Sequence, residues 1–510
     1  MVNSPLPASI HILDDDSLLN VFHLYQPFLL GEDEDEYTRL WGGDKGWERG
    51  RWWYELSHVC QRWRRVILGS ASYLGVSLVC TNGTPVADML AHSPPLPLDI
   101  DYYHGNVEIA AEDEEGAILA LKQYNRVRRI RIYMSATSLQ KLIVAMDDEY
   151  PILEYLIVAL PVEDKSSICQ FPETLQAPNL RHLYLEGFAL PMGCRLLTTA
   201  VGLVTLDIHM VHPSIYFHPN ILLRWLSIMP QLETLMVYFR FPVPNRDVER
   251  QLTHMPITTP ITLPNFHHFE FQGVESYSEA LIHRITTPRL EKLKISFFNQ
   301  LTFSGTRLLQ FVNATENLLT FKSARLKFFG TYVDVEVYPH EGAEMYALSI
   351  VAKCWHLDWQ VSSVAQISNL LSPAFSAVEH LTLEHQAHSQ SSEEHNEADR
   401  VKWRQLLGSF RNVKTLRIDE GLVEELSRCL EPGNGVLPLE VLPELQELTY
   451  FGSGNSGNAF TSFINSRQDA GRPVTLVRRS PSPDWSSSVP PLEPPSTTPA
   501  DDRAGTDLDI

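Results

Sequence analysis

The stretch PRLEKLKI, residues 288–295, is one copy of a phrase that returns along most of this 510-residue chain. The phrase has the form apolar-x-x-apolar-x-apolar and usually starts two residues after a proline. The other copies with the proline are PILEYLIV (151–158), PNLRHLYL (178–185), PQLETLMV (230–237), PNFHHFEF (264–271) and PELQELTY (443–450). Copies without it are RVRRIRI (126–132), GLVTLDI (202–208), AVEHLTL (377–383) and NVKTLRI (412–418). Such recurrence indicates a repeat architecture.

Each phrase alternates apolar and polar residues, which predicts a short, half-buried strand. The segments between the phrases space their apolar residues three and four apart, which predicts helices. The clearest of these segments are ILLRWLSIM (221–229), SEALIHRI (278–285), RLLQFV (307–312) and VKWRQLLGSF (401–410). One strand and one returning helix cannot bury their apolar faces alone, so stacked units must share a core. The sequence therefore predicts an α/β solenoid of leucine-rich-repeat type with a parallel sheet.

The repeats are irregular, with roughly 23 to 34 residues between the first apolar positions of successive phrases and longer units later in the chain. No asparagine ladder follows the strands, as the usual leucine-rich consensus would require. An ordinary α/β domain with parallel strands stays open as an alternative.

Charge limits the possible partners of this chain. Lysine and arginine total 41 against 62 aspartates and glutamates, a net charge of −21, which repels a phosphate backbone, so we expect no nucleic-acid partner. We also expect no membrane segment and no secretory signal, because no long apolar run and no basic N-terminal region occur. Single, scattered cysteines fit free thiols in a reducing compartment. These features predict a cytoplasmic or nuclear protein.

Two stretches resemble sites for cofactors or metals. GSGNSG (452–457) is a literal GxGxxG between a predicted strand and a predicted helix, but it comes late in the chain and no acidic residue follows at the required distance. The segment LEHQAHSQSSEEHNEAD (383–399) gathers His385, His388 and His395 with Glu393 and Glu394 in a polar loop without helical spacing. We interpret both as loops, expect no cofactor or metal, and find no catalytic motif, so we expect no enzymatic activity.

The N-terminal region predicts two amphipathic helices before the repeats. The first lies in LDDDSLLNVFHLY (13–25), where Asp14 to Asp16 can cap the first turn. If WYELSHVCQRWRRV (53–66) is helical, one apolar face is shared by Leu56, Val59, Cys60, Trp63, Val66 and Ile67. Its arginines then keep the helix soluble or pair with acidic neighbours. An acidic, tryptophan-rich insert at about 27–52 separates the two helices and predicts a loop.

These residues resemble the F-box-like proteins of mushroom-forming fungi. Residues 13–22, LDDDSLLNVF, are similar to the family's LPxExLLxIF opening, and Leu56, Val59-Cys60 and Arg62-Trp63-Arg64 to its LxxVCxxWR helix. The segments 73–103 and 460–477 resemble the family's linker and C-terminal end. Asp14 stands where the family usually has proline.

The resemblance implies a substrate receptor of an SCF-type ubiquitin ligase, in which the F-box docks on a Skp-type adaptor and the repeat domain binds a target protein of unknown identity. The predicted adaptor-binding residues are Leu13, Leu18, Leu19, Phe22, Leu56, Val59, Cys60, Trp63 and Val66. Two alternatives stay open. One is an interaction scaffold with a degenerate F-box, suggested by Asp14, and the other is a nucleotide-binding enzyme that uses the loop 452–457.

The predicted organisation has three parts. A small all-α F-box-like module spans 1–75, an α/β leucine-rich-repeat-like solenoid spans 76–479, and a tail rich in proline, serine and acid spans 480–510. The composition of the tail predicts disorder.

Overall fold

The computed structural model describes most of the chain. The described residues are 13–25, 51–103, 108–161, 169–191, 193–211, 217–239, 260–298, 303, 305–315, 318, 321–386, 397–431, 441–451 and 459–479. The insert predicted at about 27–52, the glycine loop 452–457, His388, His395, Glu393, Glu394 and the tail 480–510 lie outside them, apart from the last residues of the insert. The division into 1–75, 76–479 and 480–510 stays a prediction.

Three helices precede the repeats in the described residues: α1 (Asp15–Tyr25), α2 (Trp52–Val59) and α3 (Gln61–Gly69). The α1 helix starts at Asp14, whose Oδ1 accepts a hydrogen bond from the backbone N–H of Ser17 at 2.7 Å. A carboxylate there satisfies a free N–H group of the first turn and suits the helix dipole. The prediction that acidic residues start this helix is confirmed.

The predicted single helix over 53–66 is wrong, because the chain breaks at Cys60. This residue is extended (φ −160°, ψ 166°) and separates α2 from α3. The two helices pack on each other and so cannot present one continuous apolar face. Residues 56 and 59 belong to one helix, and residues 63 and 66 to the next.

The remaining described chain contains twenty β-strands, most of which belong to one large sheet. The strands are β1 (Leu78–Thr81), β2 (Leu98–Tyr103), β3 (Val127–Tyr133), β4 (Tyr155–Ala159), β5 (Cys169–Gln170), β6 (His182–Glu186), β7 (Phe188–Ala189), β8 (Thr205–Val211), β9 (Thr234–Phe239), β10 (Ile261–Thr262), β11 (His268–Gly273), β12 (Ile285–Thr286), β13 (Lys292–Phe298), β14 (Ser323–Phe329), β15 (Val333–Tyr338), β16 (Leu348–Lys353), β17 (His380–Gln386), β18 (Thr415–Ile418), β19 (Glu447–Phe451) and β20 (Thr475–Arg479). Sixteen of these described strands form the sheet in the order β1-β2-β3-β4-β6-β8-β9-β11-β13-β16-β15-β14-β17-β18-β19-β20. The short strands pair separately, β5 with β7 and β10 with β12.

Every quoted repeat phrase contributes one strand to this sheet, and the proline explains where the strand begins. In PNLRHLYL the N–H of Leu180 donates to the carbonyl of Ala177 at 3.1 Å, which closes a turn with Pro178 at its second position. The fixed φ of proline suits that position. The turn buries Leu180 completely, and truncating such a leucine to alanine costs about 2–5 kcal/mol.

Helices connect many of the successive strands. They are α4 (Val86–His92), α5 (Ala111–Leu121), α6 (Ala136–Ala145), α7 (Arg195–Thr199), α8 (Pro219–Leu226), α9 (Glu275–Ile282), α10 (Thr306–Ala314), α11 (Leu357–Leu370), α12 (Ser372–Phe375), α13 (Glu397–Leu407), α14 (Val423–Leu430) and α15 (Thr461–Asp469), with a 3₁₀ turn at Glu420–Leu422. Each of the four predicted helical segments overlaps one of them. Their apolar residues join one continuous core that runs from Leu18 to Val474. The predicted alternation of strand and helix around a parallel sheet is confirmed.

One part of the sheet departs from this alternation. β15 is antiparallel to both of its neighbours, and β14, β15 and β16 follow one another without an intervening helix. The chain leaves β13, forms β14 three places further along the sheet, and folds back through β15 so that β16 pairs with β13. The long helix α11 then carries the chain from β16 to β17, which pairs with β14. The sheet is therefore mostly, but not entirely, parallel.

Candidate protein-interaction surfaces

The predicted adaptor-binding residues fall into two groups in the structure. Leu18, Phe22 and Val66 are buried in the core of the helical module. Leu13, Leu19, Leu56 and Trp63 are partly buried and pack against that core, and the Phe22 and Trp63 rings meet edge to face at 5.0 Å. Cys60 is half-buried, and Val59 is 59% exposed. The structure thus brings most of these residues together as the inside of the module.

The arginines of α3 hold the module together. Arg62 donates from Nε to Asp15 Oδ1 at 2.9 Å and from Nη2 to the carbonyl of Leu13 at 2.6 Å, while Arg64 donates to the carbonyl of Ser57. The acidic partner of Arg62 therefore lies at the start of α1. Trp53 is buried and donates from its ring nitrogen to the carbonyl of Ser77, which ties α2 to the start of the sheet.

Besides Val59, the module exposes apolar residues of α1 that are not among the predicted adaptor-binding residues. Val21, Leu24 and Tyr25 are 43%, 80% and 54% exposed. They form a short stripe along one edge of the buried face: Val21 and Tyr25 lie one and two turns from Leu18, and Leu24 points furthest from Leu18 and Phe22. The helical spacing in the sequence groups Tyr25 with Leu18 and Phe22, whereas Val21 and Leu24 fall outside that apolar face.

The second surface is a face of the large sheet, here named the polar face. Side chains on a strand alternate between the two faces. In β6, Leu183 and Leu185 are buried in the core, whereas His182, Tyr184 and Glu186 point to the other side. The polar face comprises the residues in register with these on neighbouring strands, among them Asp101, Arg131, Asp207, Glu270, Lys294, Glu336 and Arg325.

Cross-strand pairs cover the first strands of the polar face. Arg131 forms a two-pronged ion pair with Asp101. The Arg129 guanidinium lies 4.7 Å from the centre of the Tyr155 ring, which in turn stacks on His182 at 4.4 Å. Burial lowers the pKa of His182 to about 4, and the nearby Arg181 and Arg129 charges add to this shift. His182 is therefore a neutral member of the stack at neutral pH.

A buried carboxylate organises the middle of the polar face. Glu270 accepts a hydrogen bond from the Tyr238 hydroxyl and lies 2.8 Å from His268 Nε2, 3.2 Å from Lys292 Nζ and 3.3 Å from Lys294 Nζ. Burial alone would raise the pKa of Glu270, but the hydrogen bond from His268 and the lysine charges hold it well below its ordinary value. On the adjacent strands, Asp207 pairs with His209, which stacks on Tyr238 at 4.2 Å.

The antiparallel strands carry a similar arrangement. Glu336 accepts from Lys327 Nζ at 2.7 Å and from the Tyr338 hydroxyl at 2.5 Å. Burial and the neighbouring Glu336 raise the pKa of Asp334 to about 6, although the Ser349 hydroxyl donates to it at 2.8 Å. Arg325 reaches Glu384 on β17 at 3.1 Å.

The acids and bases of the polar face lie at different depths. The Glu270 side chain is 3% exposed, whereas its partners Lys292 and Lys294 are 21% and 31% exposed. Glu336 and Glu384 are also buried, and their partners Lys327 and Arg325 reach outward. The face therefore has a floor of carboxylates and an outer layer of cationic groups.

The structure describes only part of the remaining candidates from the sequence. Among the described residues, no group of three His, Cys, Asp or Glu side chains could hold a metal ion. His385 lies near the end of β17, and burial lowers its pKa. The strand, helix and strand that flank the glycine loop are present as β19, α15 and β20. No described helix has the length and apolar character needed to cross a membrane.

Comparisons with known proteins add little. No family model and no curated protein matches the chain. Among solved structures, the leucine-rich repeat-containing protein LegL7 from Legionella pneumophila is similar at 10% identity over 79% of this chain and 91% of that chain, with a TM-score of 0.22. A TM-score this low supports no argument about fold or function, so the fold described above rests on the strands and helices themselves.

Proposed function

We propose that this chain acts by binding proteins rather than by catalysis. In its finer form, the proposal is a substrate receptor of an SCF-type ubiquitin ligase in the cytoplasm or nucleus. The helical module would dock on a Skp-type adaptor, and the repeat region would bind a target protein. The proposal includes neither nucleic acid nor membrane as a partner.

The observation that carries the proposal is the exposed apolar stripe Val21, Leu24 and Tyr25 on a helix whose Leu18 and Phe22 side chains are already buried in the core. An exposed apolar stripe on a short helical module fits the groove of a partner. The buried residues Leu18 and Phe22 then hold the stripe in place, and they serve adaptor binding by shaping α1. The polar face, which spans many strands, offers a second and larger surface for a target.

The proposal can be tested by capture of a purified Skp-type adaptor on the immobilised full chain. We expect the wild-type chain to retain the adaptor and Leu24→Asp to weaken retention about tenfold or more, because a charge would enter an apolar contact. Trp63→Ala should also weaken it by loosening the packing of α1 on α3. Val144→Asp, at an exposed apolar position on α6 in the repeat region, is the matched control and should bind as the wild type does.

A second candidate is an interaction scaffold that does not bind the adaptor. Asp14 favours it, because this residue caps α1 at the position where related F-boxes have proline. Absence of adaptor binding by a well-folded wild-type chain would support the scaffold and contradict the ligase proposal. Adaptor binding that Leu24→Asp and Trp63→Ala abolish would contradict the scaffold.

A further inference from the structure

The depth difference on the polar face creates a local charge that is opposite to that of the whole chain. Across β11, β13, β16, β15 and β14 the polar face carries five basic side chains and three carboxylates. The bases are Lys292, Lys294, Lys353, Arg325 and Lys327, and the carboxylates are Glu270, Asp334 and Glu336. Because Arg325 also pairs with Glu384 on the neighbouring strand β17, one positive charge remains in excess, in a chain whose net charge is −21.

The outward position of the bases decides what a partner would meet there. The Glu270 and Glu336 carboxylates are covered by the lysines that they hold, so their oxygens are already occupied. The lysine N–H groups have further donor capacity, since each ammonium group can donate three hydrogen bonds. A buried anion beneath a lysine also restrains its side chain before any partner arrives, which lowers the entropy lost on binding.

Two exposed tryptophans follow this cationic region in the chain. β16 ends at Lys353, and Trp355 and Trp359 follow at 67% and 48% exposure. Lys353 Nζ is 2.8 Å from Gln272 Oε1 and 5.5 Å from the centre of the Phe298 ring. Exposed tryptophans are typical of the residues that contribute most to protein interfaces.

We propose that the polar face from β11 to β16 binds an acidic peptide segment of a partner protein, whose carboxylates pair with Lys292, Lys294 and Lys353. An apolar side chain of the same segment packs on Trp355 and Trp359. This inference rests on the proposed function, in which the repeat region binds a target, and it names the chemistry of that target. Nucleic acid is the less favoured anion, because the acidic remainder of the chain repels a long phosphate backbone.

The test uses the full chain and a fluorescein-labelled peptide of sequence EEEELEEEE, followed by fluorescence anisotropy. We expect saturable binding that weakens as salt is raised, because the contacts are between partly exposed charges. Lys353→Gln should reduce the affinity about tenfold, the effect of losing one charge-assisted contact. This variant is informative because Lys353 bonds Gln272 and its loss leaves no buried carboxylate without a partner.

Two controls separate binding from folding. Lys141→Gln, on α6 and paired with Glu114, removes the same charge from the helical side and should bind the peptide as the wild type does. Trp355→Ala changes an exposed side chain, so it should fold normally and weaken peptide binding by several fold. The same peptide with glutamine in place of glutamate should not bind.

The outcomes distinguish this inference from the proposed function. A chain that captures the adaptor but does not bind the acidic peptide overturns the inference and leaves the ligase proposal standing. Peptide binding without adaptor capture supports the inference and contradicts the ligase proposal. Equal binding by Lys353→Gln, or tighter binding of a single-stranded oligonucleotide of matched charge, overturns the inference as well.

Discussion

The helical module and the polar face solve the problem of presenting a binding surface in different ways. In the module, apolar side chains of α1 form both the core, with Leu18 and Phe22, and the neighbouring exposed stripe. On the polar face, charged groups do both tasks, with carboxylates inside and bases outside. In both regions the more buried side chains maintain the shape of the surface, and the more exposed side chains face a partner.

The largest effect should come from breaking the module from inside. Phe22→Ala removes a buried ring that packs on Trp63, and we expect it to lower the stability of the module by about 3–5 kcal/mol. Hydrogen exchange followed by mass spectrometry would measure the loss of protection in 15–25 and 52–69. If protection of β6 to β13 falls equally, the module and sheet unfold together and the comparison fails.

Removing one buried charge from the polar face should lower the free energy of unfolding somewhat less. Glu270→Gln keeps the shape but leaves Lys292 and Lys294 without their anion. Breaking a buried ion pair costs about 3–5 kcal/mol, and the partial hydration of both lysines should reduce this to about 2–3 kcal/mol. Urea denaturation measures the change. The control is Glu424→Gln in the exposed pair with Arg428, where a change under about 0.5 kcal/mol is expected.

Acid should weaken the polar face through His182. Its pKa is about 4 in the folded chain and near the ordinary value of 6.5 when unfolded, so the unfolded chain takes up the proton first. Stability is therefore full above the unfolded pKa and is lost as pH falls towards the folded pKa, by about 2 kcal/mol at about pH 5.

The measurement compares urea denaturation at pH 7 and pH 5 for the wild type and His182→Asn. His182→Asn should lack the part of the stability loss that protonation of His182 causes. An equal loss of stability between pH 7 and pH 5 in both chains would contradict the assignment. Asp334 acts in the opposite direction, because its raised pKa of about 6 makes its contribution to stability full below the unfolded pKa and lost as pH rises through 6. Because the wild type and His182→Asn both contain Asp334, the difference between the two chains excludes its contribution.

The smallest effect on stability should come from the exposed stripe. Leu24→Ala lies two residues from Phe22, yet its side chain points to solvent, so we expect a change within about 0.5 kcal/mol. Thermal unfolding of Leu24→Ala and Phe22→Ala would show the difference in stability between the two variants. A large destabilisation by Leu24→Ala would mean that the stripe is part of the core and has no surface available for an adaptor.

Much of the sheet could be predicted because each phrase encodes its own turn and its own strand. Pro178 and Leu180, for example, fix where the strand begins and which side chains are buried. The antiparallel strands could not be predicted in the same way, because FFGTYVDVEVY (328–338) does not follow the pattern of one strand per repeat unit. The position of a strand in the sheet depends on packing between units, so a local sequence pattern does not predict it.

The surfaces were less predictable than the fold. The helical pattern over 53–66 suggested one face, but the extended backbone at Cys60 divides it. The Arg62 to Asp15 pair joins residues 47 positions apart, and the Glu270 cluster depends on the register of β9, β11 and β13. The sequence shows charged residues between the apolar positions of each phrase. It does not show which of these residues are buried beneath the others.

The antiparallel strands also affect the order in which the chain can fold during synthesis. Earlier repeats can each dock on the preceding strand as they leave the ribosome, which keeps contacts local in sequence. β13 ends at Phe298, but its neighbour β16 begins only at Leu348. Until Leu348–Lys353 is made, β13 is an unpaired edge exposed to other chains. The nascent protein should therefore be most prone to aggregate, and most dependent on chaperones, over this interval.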